Sequence, residues 1–221
     1  MVVCGTQLLR PALVQKMSIE EQSKCVDDKY RSLSLSAECA KGVDTILAEE
    51  KRIEEDHIRT IASWGNYSTE KRVIAFGLYG NKPKYVHGCL ANIKLSKIYY
   101  PGWVCRFYVT NVEKSTMDLL RNAGGEVVEV NGSGPGHMMS RFMVADDPKV
   151  DRFIVRDVDS RLNSRERFAV QEWIESGLKI HSMRDHVNQF YEYNGGMWGG
   201  TKKCMPLLIK NIEGLSLEKK T

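Results

Sequence analysis

A chain of 221 residues is long enough for one sizeable domain with an appendage, and its 42% hydrophobic and 27% charged residues place it in the globular range. That composition excludes collagen-like, coiled-coil-only and wholly disordered chains. The net charge of +4 is too small, and the Lys and Arg residues are too scattered, for a nucleic-acid-binding protein.

The six cysteines are spread along the chain without a C-x-x-C pair or a matching His cluster, so the sequence predicts neither a zinc module nor a disulfide scaffold. Arg10 and Pro11 interrupt the apolar stretch over residues 1–17, which argues against a signal peptide. No run of about 20 apolar residues that could span a membrane is present. We therefore expect a cytoplasmic protein with reduced thiols and no membrane span.

Residues 1–70 and 71–221 differ in character: the first part holds 9 basic and 12 acidic residues, and the second holds 23 and 16. Few aromatic residues or glycines occur in the first part, which leaves it little from which to build a core. Apolar residues spaced along 36–61 in a charged background predict one amphipathic helix, with Ser36 as its N-cap. We predict an N-terminal helical appendage over residues 1–70, partly disordered, whose helix packs on the main domain or on a protein partner.

From residue 71 onward, short apolar runs alternate with helical segments, which is typical of βα units and a mostly parallel sheet. The predicted strands cover residues 73–78, 103–110, 126–130, 152–156 and 178–183. The predicted helices cover residues 85–99, 112–123, 137–145 and 164–176, the last with Ser164 as its N-cap. The sequence therefore predicts an α/β domain in which helices flank a mostly parallel sheet.

The triplet Asp157-Val158-Asp159 directly follows the fourth predicted strand. In open α/β sheets, ligands bind beyond the carboxyl ends of the strands. Alternation along an extended chain would point both carboxylates to one side, where they could share a divalent cation and the diphosphate that it carries. A D-x-D triplet also arises by chance. The structural alternative is that the two carboxylates form local salt bridges with Arg156 and Arg161.

Longer strings around the triplet carry a more specific signal. They are SRFMVADDP (140–148), VDRFIVRDVDSRLN (150–163), HSMRDH (181–186) and GGMWG (195–199). Together with residues 85–106, which include Asn92 and the string YPGW, they resemble a family of nucleotide-sugar-dependent glycosyltransferases of the GT-A fold. The resemblance covers about residues 72–203 and none of the first 70.

The resemblance implies a GT-A-like domain and a metal-dependent hexosyltransferase. Such an enzyme moves a sugar from a nucleotide diphosphate donor to a hydroxyl of a carbohydrate or glycoconjugate acceptor. Asp157 and Asp159 would hold Mn²⁺ or Mg²⁺ against the diphosphate, and Asp185 would act as general base toward the acceptor hydroxyl or hold the donor sugar. The other expected donor contacts are Gly77, Tyr79, Arg141, Asp146, Arg156, Gly195, Gly196 and Trp198.

Several of these residues have a purely structural alternative. Arg141 and Asp146 could form an exposed ion pair, which is common and contributes little. Trp198 could be the core residue of a buried strand rather than a platform for a sugar. His186 could be a metal ligand or a hydrogen-bonding residue.

A glycine-rich loop and the absence of three catalytic motifs bear on other kinds of site. The glycine-rich loop over residues 132–136 lacks the position and the spacing of a dinucleotide fingerprint, and we interpret it as a flap near the donor sugar. The absence of a G-x-S-x-G elbow, a Walker loop and an H-E-x-x-H motif disfavours α/β-hydrolase, P-loop and zincin chemistry.

Related chains continue beyond the GGMWG string through an acidic-aromatic helix and a later segment that contains a histidine, whereas this chain ends at Thr221. We therefore expect a transferase domain over residues 71–221 that is truncated at its C-terminus, with a frayed tail, and that binds donor but transfers weakly or not at all. The alternative function is a catalytically silent, transferase-like module that binds a partner through the N-terminal helix.

Overall fold

The computed structural model describes residues 37–65, 69–130, 135–184 and 195–205, together with residue 208. The chain divides into two compact units between Thr60 and Ile61, whereas the sequence analysis drew the boundary at residue 70. The N-terminal stretch before residue 37, the loop over residues 131–134, Asp185, His186 and the tail from residue 209 lie outside the described residues. The predictions made for them stay predictions.

The predicted N-terminal helix is present as α1 (Ala37–Ser63). Its charged surface carries ion pairs at helical spacing, in which Arg52 contacts Glu49 at 2.7 Å and Asp56 at 3.5 Å. Pairs of this kind stabilise a helix by only a few tenths of a kcal/mol each. The described part of the chain contains no helix with the length and apolarity that a membrane crossing requires.

A six-stranded sheet forms the centre of the second unit. Its strands are β1 (Arg72–Tyr79), β2 (Trp103–Thr110), β3 (Glu126–Glu129), β4 (Arg152–Val155), β5 (Ile180–Ser182) and β6 (Trp198–Thr201). Their order across the sheet is β3-β2-β1-β4-β6-β5. Neighbours from β3 to β4 are parallel, and β6 runs antiparallel to both β4 and β5. The predicted mostly parallel sheet is confirmed, with β6 as a strand that the sequence indicated only through the structural alternative for Trp198.

The predicted helices are present, the last with the predicted bounds and the other three with ends shifted by one to two residues. They are α2 (Pro83–Tyr99), α3 (Lys114–Asn122), a 3₁₀ helix (Pro135–Asp146) and α4 (Ser164–Ser176). Pro83 lies in the first turn of α2, where its missing N–H costs nothing. The prediction that Ser164 caps α4 is wrong by one residue, because the Asn163 side chain accepts the hydrogen bond from the Glu166 amide.

The central strands bury both of their faces, which makes the sheet the middle layer of the second unit. Successive side chains of a strand point to opposite faces. In β1, Ile74 and Phe76 pack in the apolar cluster formed with α2, α3 and α4, whereas Val73 and Ala75 pack in a second cluster with the 3₁₀ helix and β6. Because both faces of the sheet are covered, a ligand can approach it at the edge formed by the carboxyl ends of β1, β2 and β4.

Candidate functional site

The chain turns immediately after β4, so Asp157 and Asp159 do not lie on an extended strand. The amide of Ser160 donates to the carbonyl of Asp157 at 3.2 Å, which closes a turn over residues 157–160. We call this segment the D-x-D turn. Val158 is buried in the apolar core between two carboxylates whose side chains stay 47% and 40% exposed. The two carboxylates therefore belong to a turn and not to the extended strand on which the expectation of alternation relied.

Asp157 contacts a cation that comes from the 3₁₀ helix. Arg141 donates through Nη1 to the Asp157 carboxylate and, at 3.2 Å, to the carbonyl of Arg156. Gly195 and Gly196 lie against this pair: a Cβ on Gly196 would stand 2.1 Å from Asp157 Oδ2, and one on Gly195 would stand 3.4 Å from Arg141 Nη2. The structure thus brings together four of the residues that the sequence analysis had selected.

Asp159 contacts a second cation, Lys84, in the first turn of α2. The Lys84 Nζ lies 3.0 Å from Asp159 Oδ2. This hydrogen bond lowers the pKa of the Asp159 carboxyl and raises the pKa of Lys84. Sequence reasoning gave Lys84 no role of its own. The sequence does contain a signal for Lys84, which is its position at the start of the helix that follows β1. Because β1 and β4 are adjacent and parallel, the residues that follow them come to the same edge of the sheet.

The backbone of the D-x-D turn rests on α2. Asn92 is fully buried and donates through Nδ2 to the carbonyls of Val158 at 3.3 Å and Ser160 at 2.9 Å, while its Oδ1 accepts from the amide of Leu162 at 3.2 Å. A Cβ on Gly88 would stand 2.1 Å from the carbonyl oxygen of Val158. Helix and turn are therefore in direct backbone contact.

The end of β1 contributes an exposed aromatic side chain to the same edge of the sheet. Gly77 and Tyr79 lie within β1, which extends one residue beyond the predicted strand end at residue 78, and Gly80 follows with a φ of +66°. Tyr79 is 49% exposed, and its hydroxyl accepts a hydrogen bond from Asn111 at 3.3 Å.

Arg156 is directed into the protein rather than toward the edge. Its side chain is 1% exposed and donates to Glu166 at 2.9 Å and to the carbonyl of Val155 at 2.8 Å. Arg161 donates to backbone carbonyls of the D-x-D turn. The structural alternative of local salt bridges from the D-x-D carboxylates is therefore not what the structure contains.

Trp198 is a core residue beside the end of β4, where it pairs with Val155, and Asp146 lies at the other edge of the sheet. Trp198 is buried, with its ring edge-to-face to Phe142 and Phe153 at 5.5 and 5.3 Å, which is the arrangement of a core residue. Asp146 ends the 3₁₀ helix near Cys204, where burial and, to a smaller extent, the Asp146 carboxylate raise the pKa of the thiol. Cys204 follows the end of β6, which is antiparallel to β4, so Asp146 belongs to the opposite edge of the sheet.

The two D-x-D carboxylates fit a cation that arrives with its own oxygen ligands. The described residues include no group of three or more His, Cys, Asp or Glu side chains that could hold a metal ion by themselves. Mg²⁺ is commonly bound through one or two carboxylates, with phosphate oxygens and water completing the shell. The glycine at 196 keeps a side chain away from Asp157 Oδ2. A divalent ion bound to a diphosphate meets these conditions.

No protein-family model matches the sequence, and no curated protein is significantly similar to it. Three solved structures with similarity to the chain are glycosyl-transferring proteins or synthases. The first is a mannosyltransferase from Pyrobaculum calidifontis in complex with GDP-Man and Mn²⁺, with a TM-score of 0.46 and 13% identity over 66% of this chain and 48% of that chain. The second is the glycosyltransferase GlyE of Streptococcus pneumoniae in its apo form, with a TM-score of 0.47 and 13% identity over 69% of this chain and 39% of that chain. The third is mannosyl-3-phosphoglycerate synthase from Rubrobacter xylanophilus, with a TM-score of 0.43 and 15% identity over 68% of this chain and 58% of that chain. The chain spans roughly half the length of these structures.

Proposed function

We propose that this chain is a glycosyltransferase, which moves a sugar from a nucleotide diphosphate donor to an acceptor hydroxyl with the help of a divalent cation. One observation carries the proposal. The D-x-D turn presents two half-exposed carboxylates at the ligand-binding edge of the sheet, and each carboxylate contacts its own cation, Arg141 or Lys84. The resemblance of the surrounding strings to nucleotide-sugar-dependent transferases supports the same donor class.

The charges of this edge suit a metal-bound diphosphate. Asp157 and Asp159 would hold Mn²⁺ or Mg²⁺, which supplies positive charge against the leaving nucleoside diphosphate. Arg141 offers a planar fork of donors for phosphate oxygens, and Lys84 offers a compact charge on a flexible stem. Both cations neutralise the carboxylates in the free protein and would be available to a diphosphate if the carboxylates held a metal ion.

The neighbouring residues extend the proposed donor site in two directions. The exposed ring of Tyr79, beside Gly77 at the end of β1, offers a surface on which a nucleotide base can stack. On the other side, Gly195 and Gly196 would line the donor sugar with backbone next to Asp157. Arg156 and Trp198 are buried and Asp146 lies at the opposite edge, so we give them no donor contact.

The reaction needs a base near the acceptor. The acceptor oxygen forms a bond to the anomeric carbon, while the bond from that carbon to the diphosphate oxygen breaks and its electron pair leaves with the diphosphate. The hydroxyl proton passes to a base within hydrogen-bond reach. Strand β5 runs in the same direction as β4 and so ends at the same edge of the sheet, which supports Asp185, three residues after β5, as our candidate for that base.

Release of nucleoside diphosphate from a panel of UDP- and GDP-sugars, with simple sugars as acceptors, tests the proposal. We expect release in Mn²⁺ or Mg²⁺, none in chelator, and a loss of at least about 100-fold in the double variant Asp157→Asn/Asp159→Asn, because the divalent cation that would stabilise the leaving group is then no longer held. Asp118→Asn is the matched control. Its carboxylate is exposed and pairs with Arg121 on α3 at 3.0 Å, away from the D-x-D turn.

The two outcomes that oppose the proposal are distinct. Equal release in chelator and in the double variant would contradict it outright. Metal-dependent binding of the donor with neither release nor transfer would instead support the catalytically silent binding module.

A further inference from the structure

One face of α2 is devoted to the D-x-D turn. Lys84, Gly88 and Asn92 follow one another at four-residue spacing, so they lie along a single stripe of the helix. Lys84 contacts the Asp159 carboxylate, Gly88 lies against the carbonyl of Val158, and Asn92 binds the turn backbone. Three successive turns of the helix thus meet three parts of the same short segment.

Asn92 uses its side chain almost completely on this segment. An amide side chain has two N–H donors and one carbonyl acceptor. Its Nδ2 donates to the carbonyls of Val158 and Ser160, and its Oδ1 accepts from the amide of Leu162. Asn92 is fully buried, so water does not replace these bonds. Arg161 donates to the same two carbonyls from the segment itself, so Asn92 is the side chain of α2 that ties residues 158–162 to the helix.

The chemistry of the contact selects asparagine and glycine. An aspartate at 92 would keep the acceptor for Leu162 but would face two carbonyl oxygens without a donor. Any side chain at 88 would collide with the turn, because even a Cβ would stand 2.1 Å from the carbonyl oxygen of Val158. Helix and turn consequently have one way to fit together.

We propose that Asn92 is a positioning residue for the metal-binding carboxylates. By fixing the backbone of the D-x-D turn it sets where Asp157 and Asp159 stand, and so sets their affinity for a divalent cation that carries a diphosphate. Asn92 contacts neither the cation nor the donor. Groups that orient the ligands of a metal commonly change its affinity by about 10- to 100-fold. The inference rests on the proposed function, because it assumes that these carboxylates bind a cation.

Calorimetric titration with UDP and Mn²⁺ tests the inference on the wild-type protein and on Asn92→Ala, Asn92→Asp and Gly88→Ala. We expect each variant to bind roughly 10- to 100-fold more weakly than wild type. Ile93→Ala is the matched control. Ile93 is the next residue of α2 and is equally buried, but it packs in the apolar cluster, so this variant should lose thermal stability and keep the affinity of wild type.

The outcomes separate this inference from the function on which it rests. Wild-type binding with unchanged affinity in a folded Asn92→Ala or Asn92→Asp protein overturns the inference alone and leaves Asn92 a core residue. Absence of Mn²⁺-dependent UDP binding in the wild type overturns the proposed function and the inference with it.

If none of the variants at residues 92 and 88 folds, a measurement on the wild-type protein tests whether Asn92 holds the D-x-D turn. In native-state hydrogen exchange, the Leu162 amide, which donates to Asn92 Oδ1, should exchange as slowly as the amides of β4. Fast exchange of this amide would show that Asn92 does not hold the turn and would overturn the inference.

Discussion

His181 is a histidine whose surroundings keep it neutral. It is buried in β5, its ring stacks on Trp173 with centroids 5.3 Å apart, and its Nε2 has no hydrogen-bond partner among the residues that the structure describes. Burial and, to a smaller extent, the positive charge of Arg156 lower its pKa to about 3. In mildly acidic solution the unfolded chain therefore binds a proton at this histidine, whereas the folded chain does not.

This burial predicts a loss of stability in mild acid. Below the ordinary His pKa of about 6.5, the unfolded chain binds a proton that the folded chain does not, so the free energy of unfolding should fall by about 2 kcal/mol from pH 7 to pH 5. Urea unfolding at both pH values measures it. His181→Gln should flatten the decline, and His87→Gln, a change at an exposed position on α2, should leave it intact. An undiminished decline in His181→Gln would contradict the assignment.

The sequence places Asp157 and Asp159 directly after β4, because a parallel strand delivers the residues that follow it to a known edge of the sheet. It cannot show that Arg156 is directed inward. That orientation depends on Glu166, ten residues away on α4, and on the carbonyl of Trp198, which belongs to a strand formed later in the chain. A contact between distant segments leaves no signature in the local pattern.

Two glycines precede β6, and they differ in how much space the structure leaves for a side chain. Gly196 lies so close to Asp157 that an added Cβ would meet its carboxylate at 2.1 Å, whereas an added Cβ on Gly195 would meet Arg141 at an ordinary 3.4 Å. We expect Gly196→Ala to displace the carboxylate and weaken Mn²⁺-dependent UDP binding by about tenfold or more. Gly195→Ala is the matched control and should bind nearly as wild type does. Equal affinity in the two variants, measured by calorimetry, would contradict this geometry.

Most strands and helices of the second unit follow from the apolar periodicity, but β6 does not. It has the sequence WGGT, which is short and rich in glycine, and such a segment has a low tendency to form a strand by itself. Its two glycines are required by packing: a Cβ on Gly199 would stand 2.5 Å from the Phe153 carbonyl oxygen, and one on Gly200 would stand 2.3 Å from Cys204 Sγ. Tertiary contacts, rather than local preference, therefore make this segment a strand.

The first compact unit ends at Thr60, ten residues before the boundary that composition predicts. Ile61 is fully buried, Trp64 packs on Phe168 at 5.1 Å, and the Arg167 guanidinium lies 4.5 Å from the centre of the Trp64 ring. Glu70 forms ion pairs with guanidinium groups at the beginning of β1 and β4. These residues come before residue 71 but contribute to the second unit, and a count of aromatic residues cannot reveal that.

Two deletions test this boundary. Removal of residues 1–60 should leave the thermal stability of the second unit and its UDP binding nearly unchanged. Removal of residues 1–70 should lower the free energy of unfolding by at least about 3 kcal/mol, because it takes away the fully buried Ile61 together with the half-buried Trp64. Chemical denaturation of both proteins measures the difference. If the two proteins are equally stable, residues 61–70 do not stabilise the second unit and the boundary lies at residue 70.

Calorimetric titration of the whole chain with UDP and GDP, in Mn²⁺ and in chelator, bears on the role of the D-x-D turn without depending on an acceptor. In the free protein the carboxylates engage Arg141 and Lys84, so a diphosphate needs a divalent cation at the turn before it can bind there. We predict binding of at least one nucleotide in Mn²⁺, none in chelator, and loss of binding in Asp157→Asn/Asp159→Asn. Binding of equal strength in chelator, or in the double variant, would show that the turn is not the metal and diphosphate site.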